Sequence, residues 1–244
     1  MNLTVHESSL YVHKLGKLLK NHRNVEMVLA PGLLALQSLS LQPERKLFKL
    51  AAQNLYFKDE GAFTGEVSAH QLRGLVQYAI IGHSERRHIF KEHDKEIRAK
   101  VQAAVRHGIT PVLCVGETAH ERTNKETAGV LHDQLVGGLA NLTADEVQTM
   151  VIAYEPVWAI GTGNSATTKD VEAAVRTIRN QIDHLYGKET AELVRVIYGG
   201  SVSSVNAREY LQTPGVDGLL PGGASLKSKE FEAIIEAAFE VGKK

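Results

Sequence analysis

The chain has 244 residues, of which 43% are hydrophobic and 23% are charged, as in an ordinary globular protein. Its 28 basic residues balance 28 acidic residues, so the net charge gives no reason to expect nucleic acid or an anionic membrane as a partner. We predict a single domain over residues 1–244, because no Pro- or Ser-rich linker interrupts the chain and a single α/β barrel can have this length.

Signals for targeting, metals and nucleotide cofactors are missing from the sequence. Cys114 is the one cysteine, which is typical of a reducing compartment, and we expect a cytoplasmic protein. No run of about 18 apolar residues occurs, so we expect no membrane span. The spacings HExxH, CxxC and GxGxxG do not occur, and we therefore expect neither a metal nor a cofactor.

The predicted strands are short apolar runs rich in β-branched residues. The runs are continuous rather than alternating, as in parallel strands that are buried on both faces. Seven of them follow one another along the chain: Met27–Ala30, Leu50–Gln53, Tyr78–Ile81, Pro111–Val115, Met150–Tyr154, Val194–Tyr198 and Gly218–Leu220.

Segments of helical periodicity separate the strands. Thr4 and Glu7 predict a capping box for a first helix, and Thr167 and Asp170 precede a later one. The apolar faces comprise Tyr11, Leu15, Leu18 and Leu19, then Val171, Ala174, Val175, Ile178 and Ile182, and finally Phe231, Ile234, Ile235 and Ala238. Alternating parallel strands and helices fit either a barrel or an open doubly wound sheet. A barrel needs eight strands, whereas this chain begins with a helix.

Two motifs place an ionisable side chain at the end of a predicted strand. In IIGHSERR, His83 follows a strand and precedes the charged start of a helix, although a lone histidine is more often structural. In AYEPVWAIGTG, Glu155 ends a buried strand, where a carboxylate is costly unless it is paired or used. The small apolar segment Pro156–Gly163 after it is suited to a lid, or alternatively to a plain flexible turn.

Two pairs of glycines follow the last two predicted strands, in YGGSV (Tyr198–Val202) and GGASL (Gly222–Leu226). Glycine lets backbone N–H groups approach a phosphate closely, and barrels commonly bind phosphate after strands 7 and 8. One such pair alone is usually only a turn. Two pairs, each with a serine close behind, indicate a phosphate site.

These segments together resemble the triosephosphate isomerase family in order and spacing, from Met1 to the C-terminus. The resemblance extends to QNLYFKDEGAFTGE, APGLLAL, VLCVGE and VDGLLPGGASL. It implies a TIM (β/α)8 barrel that interconverts D-glyceraldehyde 3-phosphate and dihydroxyacetone phosphate through an enediolate, with a phosphosugar as its small-molecule partner. Another barrel isomerase, acting on a different phosphosugar, is disfavoured because the histidine and lid motifs match so fully.

The resemblance also implies roles for individual residues. Glu155 would be the base, and neutral His83 would polarise the carbonyl, which are the established roles of these groups in the family. The phosphate would be held by Gly161, Ser201, Gly222 and Gly223, and Glu85 would support the site by hydrogen bonding.

A homodimer is a further implication of the resemblance. The Gly61–Gly65 stretch, GAFTG, is similar to the family's projecting loop, which docks into a partner subunit, and Thr64 would reach toward the neighbouring site. A glycine-rich surface turn is the alternative interpretation.

The sequence departs from the family pattern at its start and at Pro221. The family's first strand ends in Asn-Trp-Lys-Met-Asn, of which only Met1 and Asn2 have counterparts, so we expect the first strand and a catalytic lysine to be missing through a misplaced start or truncation. The alternative is a non-catalytic phosphate-binding or interaction barrel that lacks the lysine. Pro221 lacks a backbone donor near a strand end, and we expect it to disturb Gly222.

Overall fold

The structure is a computed structural model that describes residues 2–19, 24–161 and 164–243. In these residues, seven parallel strands form one sheet in the order β1 to β7. The strands are β1 (Val28–Leu29), β2 (Lys49–Ala52), β3 (Tyr78–Ile81), β4 (Thr110–Val115), β5 (Val151–Tyr154), β6 (Arg195–Tyr198) and β7 (Gly218–Leu219). All seven predicted strands are therefore confirmed, with ends that differ by at most one residue.

Helices connect the strands and cover the outside of the sheet. The α-helices are α1 (Val5–Leu18), α2 (Leu36–Ser40), α3 (Ala69–Leu72), α4 (Ser84–His88), α5 (Asp94–Arg106), α6 (Ala119–Thr123), α7 (Thr127–Leu139), α8 (Ala144–Gln148), α9 (Thr168–Tyr186), α10 (Lys188–Leu193), α11 (Ala207–Leu211) and α12 (Ser228–Val241). Short 3₁₀ turns occupy Leu33–Ala35, Pro43–Leu47, Val157–Ala159 and Gly223–Leu226. None of the helices in the described ranges is long and apolar enough to cross a membrane.

The predicted capping box of α1 is present, and a second capping box begins α9. Thr4 accepts from the backbone of Glu7 at the start of α1, and Thr167 accepts from that of Asp170 at the start of α9. Each acidic side chain bonds back to the capping residue, which satisfies donors that a helix start leaves without partners. The predicted apolar face of α9 is buried at every position, from Val171 to Ile182.

Alternate side chains of each strand enter two separate cores, because neighbouring residues of a strand point to opposite faces. On β4, Leu113 packs in the larger core between sheet and helices, whereas Val112 and Cys114 pack in a smaller one. The buried residues of the smaller core come from strands alone, for example Tyr78 and Ala153. The sheet is thus covered on both faces, as the continuous apolar runs predicted.

The sheet curls enough for the beginnings of distant strands to meet. Arg195, at the start of β6, donates to the Glu26 carboxylate just before β1 at 3.0 Å. Glu26 also accepts from Tyr78 of β3 and is paired with Lys49 of β2. Among the described residues, hydrogen bonds join each strand to the next from β1 to β7. The two edge strands, β1 and β7, are not bonded to each other. In the part of the chain that the structure describes, this is the architecture of a (β/α) barrel with seven of the eight strands of a closed barrel, as predicted.

Candidate active site

The two ionisable residues singled out in the sequence are in direct contact. The Nε2 atom of His83, after β3, lies 3.0 Å from Oε1 of Glu155, after β5. The two residues are separated by 72 positions in the chain, but both follow strands whose carboxyl ends share one edge of the sheet. The barrel topology therefore brings together an imidazole and a carboxylate at the end where barrel enzymes have their active sites.

His83 caps the short helix α4, and this position determines which of its nitrogens carries a proton. The Glu85 backbone N–H donates to Nδ1 at 3.3 Å, so Nδ1 is an acceptor and the neutral ring carries its proton on Nε2. Nε2–H then faces the carboxylate of Glu155. The carboxylate of Glu85 itself is 3.9 Å from Nδ1 and largely exposed, so the contact at hydrogen-bonding distance comes from the Glu85 backbone.

The charge on the imidazole is set by two opposed effects. Burial of the ring favours the neutral form, but the hydrogen bond that His83 donates to Glu155 and the negative charge of Glu155, with a smaller contribution from Glu85, raise the pKa of His83 above its usual range. Separation of Glu155 from the imidazole would remove the larger of these stabilising contributions. The N–H donated to Nδ1 and the burial of the ring would then favour neutral imidazole.

Glu155 is 2% exposed and is held by a backbone N–H group as well as by the imidazole. The backbone N–H of Ser84 donates to Oε2 at 2.8 Å. Two glycines make room for the residue, since an added Cβ would lie 1.8 Å from the Glu155 backbone oxygen at Gly116 and 3.0 Å from its Cγ at Gly199. The strand end is thus built around a buried carboxylate that has hydrogen-bond donors on one side.

A second buried carboxylate, which the sequence motifs did not single out, anchors the segment after Glu155. Glu117 is fully buried and accepts from Trp158 Nε1 at 2.8 Å and from the Tyr154 hydroxyl at 3.2 Å. Burial and the charge of Glu117 raise the pKa of Tyr154 far above its usual range. Arg122 stacks on the Trp158 ring, with 4.1 Å between its Cζ and the ring centroid. These contacts fix the first turn of the predicted lid.

The predicted lid, Pro156–Gly163, is described as far as Gly161, while residues 162 and 163 lie outside the described residues. It begins with a 3₁₀ turn at Val157–Ala159, and Gly161 has a φ of +69°. The hydroxyl of Ser201 donates to the backbone oxygen of Ala159 at 2.7 Å. The loop after β6 therefore touches the lid directly, close to Gly161.

The two predicted phosphate loops lie side by side because β6 and β7 are neighbours in the sheet. No described atom lies within 4 Å of an added Cβ at Gly161, Gly222 or Gly223, so the backbone is open at all three glycines. Gly222 begins the 3₁₀ turn Gly223–Leu226. Leu220 N–H donates to Tyr198 at 2.8 Å, so the bond between these strands persists up to the residue before Pro221.

A carboxylate and an imidazole in contact at the carboxyl ends of barrel strands, next to two open glycine-rich loops, are typical of barrel enzymes that move protons on a phosphorylated substrate. Comparison with known proteins makes this class more specific. The family model described as triosephosphate isomerase matches residues 1–238. The chain is also 44% identical over 236 residues to the triosephosphate isomerase of Clostridium acetobutylicum, covering 96% of this chain and 95% of that relative.

The chain therefore belongs to the triosephosphate isomerase family. This confirms the resemblance, the TIM-barrel fold and the isomerase function that the sequence predicted. Its activity is that of an intramolecular aldose–ketose isomerase. Neither the family match nor the relative favours the alternative of a non-catalytic barrel.

Proposed function

We propose that Glu155 is the base and His83 the acid of the reaction that interconverts D-glyceraldehyde 3-phosphate and dihydroxyacetone phosphate. The observation that carries this proposal is the 3.0 Å contact between His83 Nε2 and Glu155 Oε1 at the carboxyl end of the barrel. In this substrate, the carbon that loses a proton and the carbonyl oxygen that gains one are separated by a single carbon. A base and an acid in contact can serve both positions once the substrate separates them.

The proton transfers proceed in opposite directions through one intermediate. The Glu155 carboxylate removes a proton from the carbon next to the carbonyl, and the electron pair moves onto the carbonyl oxygen to give an enediolate. His83 gives its Nε2 proton to that oxygen and takes the proton of the neighbouring hydroxyl, so the negative charge passes from one enediolate oxygen to the other and the neutral imidazole is restored. Glu155 then returns the proton to the neighbouring carbon, so its carboxylate is restored at the end of the turnover.

The phosphate of the substrate is held by backbone groups in this proposal. Gly161, Gly222 and Gly223 leave space beside the main chain, and Ser201 joins the β6 loop to the lid. Closing the lid would exclude water, which limits the loss of phosphate from the enediolate. Glu85 supports the site through its backbone N–H on Nδ1 of His83.

The direct experiment measures isomerase activity with D-glyceraldehyde 3-phosphate and compares two conservative variants. Glu155→Asp should lower kcat by ~10²-fold, because it retracts the carboxylate by about 1 Å. Glu192→Asp makes the same chemical change at an exposed position on α10 and should leave kcat unchanged. If Glu155→Asp has the kcat of the original chain, Glu155 is not the base.

We also propose that the chain forms a homodimer through the Gly61–Gly65 loop. The backbone of this loop is fixed by positive φ angles at both glycines, and Phe63 at its tip is 39% exposed while its ring lies 4.8 Å from that of Tyr56. Ile89 and Phe90 add exposed apolar surface after α4. Phe63→Glu should therefore give a monomer in sedimentation experiments, and a dimer of unchanged stability would contradict the proposed interface.

The proposed location is the cytoplasm. Its support is the single thiol of Cys114, which is buried and whose pKa is raised well above its ordinary value by that burial. A single buried thiol cannot form a disulfide within the chain, so an oxidising compartment would not stabilise this protein. Fractionation of cells that express the chain with a small tag tests the location, and recovery outside the cytoplasm would contradict it.

A further inference from the structure

The guanidinium of Arg87, on α4, lies beneath the candidate active site and binds several groups at once, an arrangement called a fork here. Its Nε donates to the backbone oxygen of Gly82 at 2.8 Å, and its Nη2 donates to that of Cys114 at 3.1 Å. Its Nη1 is paired with Asp94 Oδ1 at 2.7 Å, at the start of α5. The side chain is only 10% exposed. One guanidinium therefore connects the ends of β3 and β4 with two helices.

The carbonyl group that Arg87 holds belongs to the peptide bond that enters His83. Gly82 has a φ of +72°, a conformation that favours glycine. An added Cβ at Gly82 would lie 3.0 Å from Nη2 of Arg87 and 3.2 Å from Cδ1 of Ile97, so the turn is packed against the guanidinium. Because the Gly82 carbonyl and the His83 nitrogen share one rigid peptide plane, fixing that oxygen also fixes where the His83 side chain begins.

Arg179, on α9, provides a matched fork at the other end of the barrel. Its guanidinium donates to the backbone oxygens of Ala191, Val194 and Gly215 at 2.5 to 3.2 Å, and it is paired with Asp217 at 2.7 Å. Asp217 precedes β7, at the amino end of the strands. The two arginines thus make the same kinds of bonds, but only Arg87 holds the chain beside His83 and Glu155.

We propose that Arg87 is a positioning residue for His83, which holds the Gly82–His83 peptide and the end of β4 in the arrangement that aims the imidazole at the substrate. This inference rests on the proposed role of His83 as the acid. A planar guanidinium can hold two backbone oxygens and a carboxylate at fixed angles, whereas a lysine ammonium cannot reproduce that geometry. The charge at position 87 is therefore less important than the shape of the group.

The test compares Arg87→Lys with Arg179→Lys in the full chain. Each substitution keeps the positive charge and removes a fork, so both should lower the free energy of unfolding. Arg87→Lys should lower kcat by ~10- to 100-fold while KM changes by less than about 3-fold, because a misplaced catalytic group loses rate rather than binding. Arg179→Lys should leave kcat unchanged.

A second measurement observes the His83 ring itself. The ¹⁵N chemical shifts of Nδ1 and Nε2, assigned with His83→Gln as the reference, report which nitrogen carries the proton. We expect Arg87→Lys to change the shifts of His83 and Arg179→Lys to preserve them. If Arg87→Lys does not fold, Asp94→Asn loosens the guanidinium without removing it and should show the same pattern with a smaller loss of kcat.

The outcomes separate this inference from the proposed function. Equal kcat and equal His83 shifts in the two lysine variants would overturn the positioning role of Arg87. If, in addition, His83→Gln had the kcat of the original chain, the proposed function itself would fail. An impaired His83→Gln beside an unimpaired Arg87→Lys would overturn only the inference about Arg87.

Discussion

Glutamates at the two ends of the barrel are held in different ways. At the amino end, Glu26 is bound by Lys49 and Arg195, two cations with permanent charge, and by the Tyr78 hydroxyl. At the carboxyl end, Glu155 contacts the Ser84 backbone N–H and an imidazole that can change its charge. The first arrangement stabilises a fixed negative charge. The second arrangement binds the carboxylate without a permanently charged partner, so the carboxylate can leave these partners and accept a proton.

The difference also appears in exposure. The Glu26 side chain is 35% exposed and lies where solvent screens its ion pairs, whereas that of Glu155 is 3% exposed. A buried carboxylate without a permanently charged partner is costly to maintain. We infer that the protein keeps the buried Glu155 carboxylate, despite this loss of stability, because the reaction needs it. The predictions below test this contrast between a structural end and a reactive end.

The largest expected effect is that of His83→Gln. Glutamine keeps a hydrogen-bonding side chain but cannot supply the imidazole proton, so kcat should fall by ~10²-fold or more. The corresponding change at the amino end, Arg195→Lys, should leave kcat unchanged because it alters only the partner of Glu26 and Tyr78 at the structural end. Steady-state kinetics of both variants measure the contrast. Equal losses of kcat would show that the two ends do not differ as described.

Gly116→Ala should have the next largest effect. Its Cβ would lie 1.8 Å from the backbone oxygen of Glu155, so the strand end has to move. We expect a lower kcat and a loss of roughly 1–3 kcal/mol in the free energy of unfolding, as for other overpacked interiors. Gly129→Ala, on α7, where no described atom lies within 4 Å of an added Cβ, is the control and should stabilise the helix. A Gly116→Ala chain with full kcat would contradict the close packing around Glu155.

Glu26→Gln should reverse the pattern of the active-site variants. It removes a charge from the ion pairs at the amino end, and we expect a loss of about 1 kcal/mol in the free energy of unfolding, since the group is partly exposed. The value of kcat should not change. Urea denaturation together with the isomerase assay measures both quantities. A large loss of kcat at unchanged stability would place Glu26 in the chemistry.

The smallest expected effect is a difference in pH dependence. Burial opposes ionisation of Glu26, but its bonds to Lys49, Tyr78 and Arg195 lower its pKa below 4.5. Its contribution to stability is therefore present above about pH 4.5 and is lost as the pH falls through the folded-state pKa. The stability difference between the original chain and Glu26→Gln should shrink below that pH. A constant difference down to pH 3 would contradict this linkage.

The corresponding dependence for His83 has the opposite sign. Its pKa is raised above 6.5, so its contribution is fully present below about pH 6.5 and is lost as the pH rises through the folded-state pKa. The stability difference between the original chain and His83→Gln should therefore decrease in alkaline solution. Urea denaturation at several pH values measures it, and a difference that grows with pH would contradict the raised pKa.

The sequence was sufficient where the signal is local. Continuous apolar runs located all seven strands, and the spacing of Thr167 and Asp170 located the start of α9. His83 and Glu155 could be singled out because each lies within two residues of a strand end, and parallel topology places such positions at one edge. The curl of the sheet did not follow from the alternation of strands and helices, which also fits an open doubly wound sheet, and was predicted from the family resemblance.

The contacts that support the site could not be predicted in the same way. Glu117 meets Trp158 across 41 positions, and Ser84 N–H meets Glu155 across 71. Arg87 stands in a charged run, SERRH, that looks like an exposed helix, yet its side chain is turned under the β3 end. No local pattern distinguishes a buried guanidinium from a solvated one. These partners depend on how strand ends pack and emerge only from the folded chain.

Isomerisation in D₂O tests whether Glu155 carries the proton between the two carbons. A carboxylic acid proton exchanges with solvent, so the product should carry deuterium on the carbon that Glu155 reprotonates. We predict deuterium in the product of the original chain and of Glu192→Asp. In the product of Glu155→Gln, deuterium should appear far more slowly. Deuterium appearing in the product of Glu155→Gln at the rate of the original chain would contradict the account.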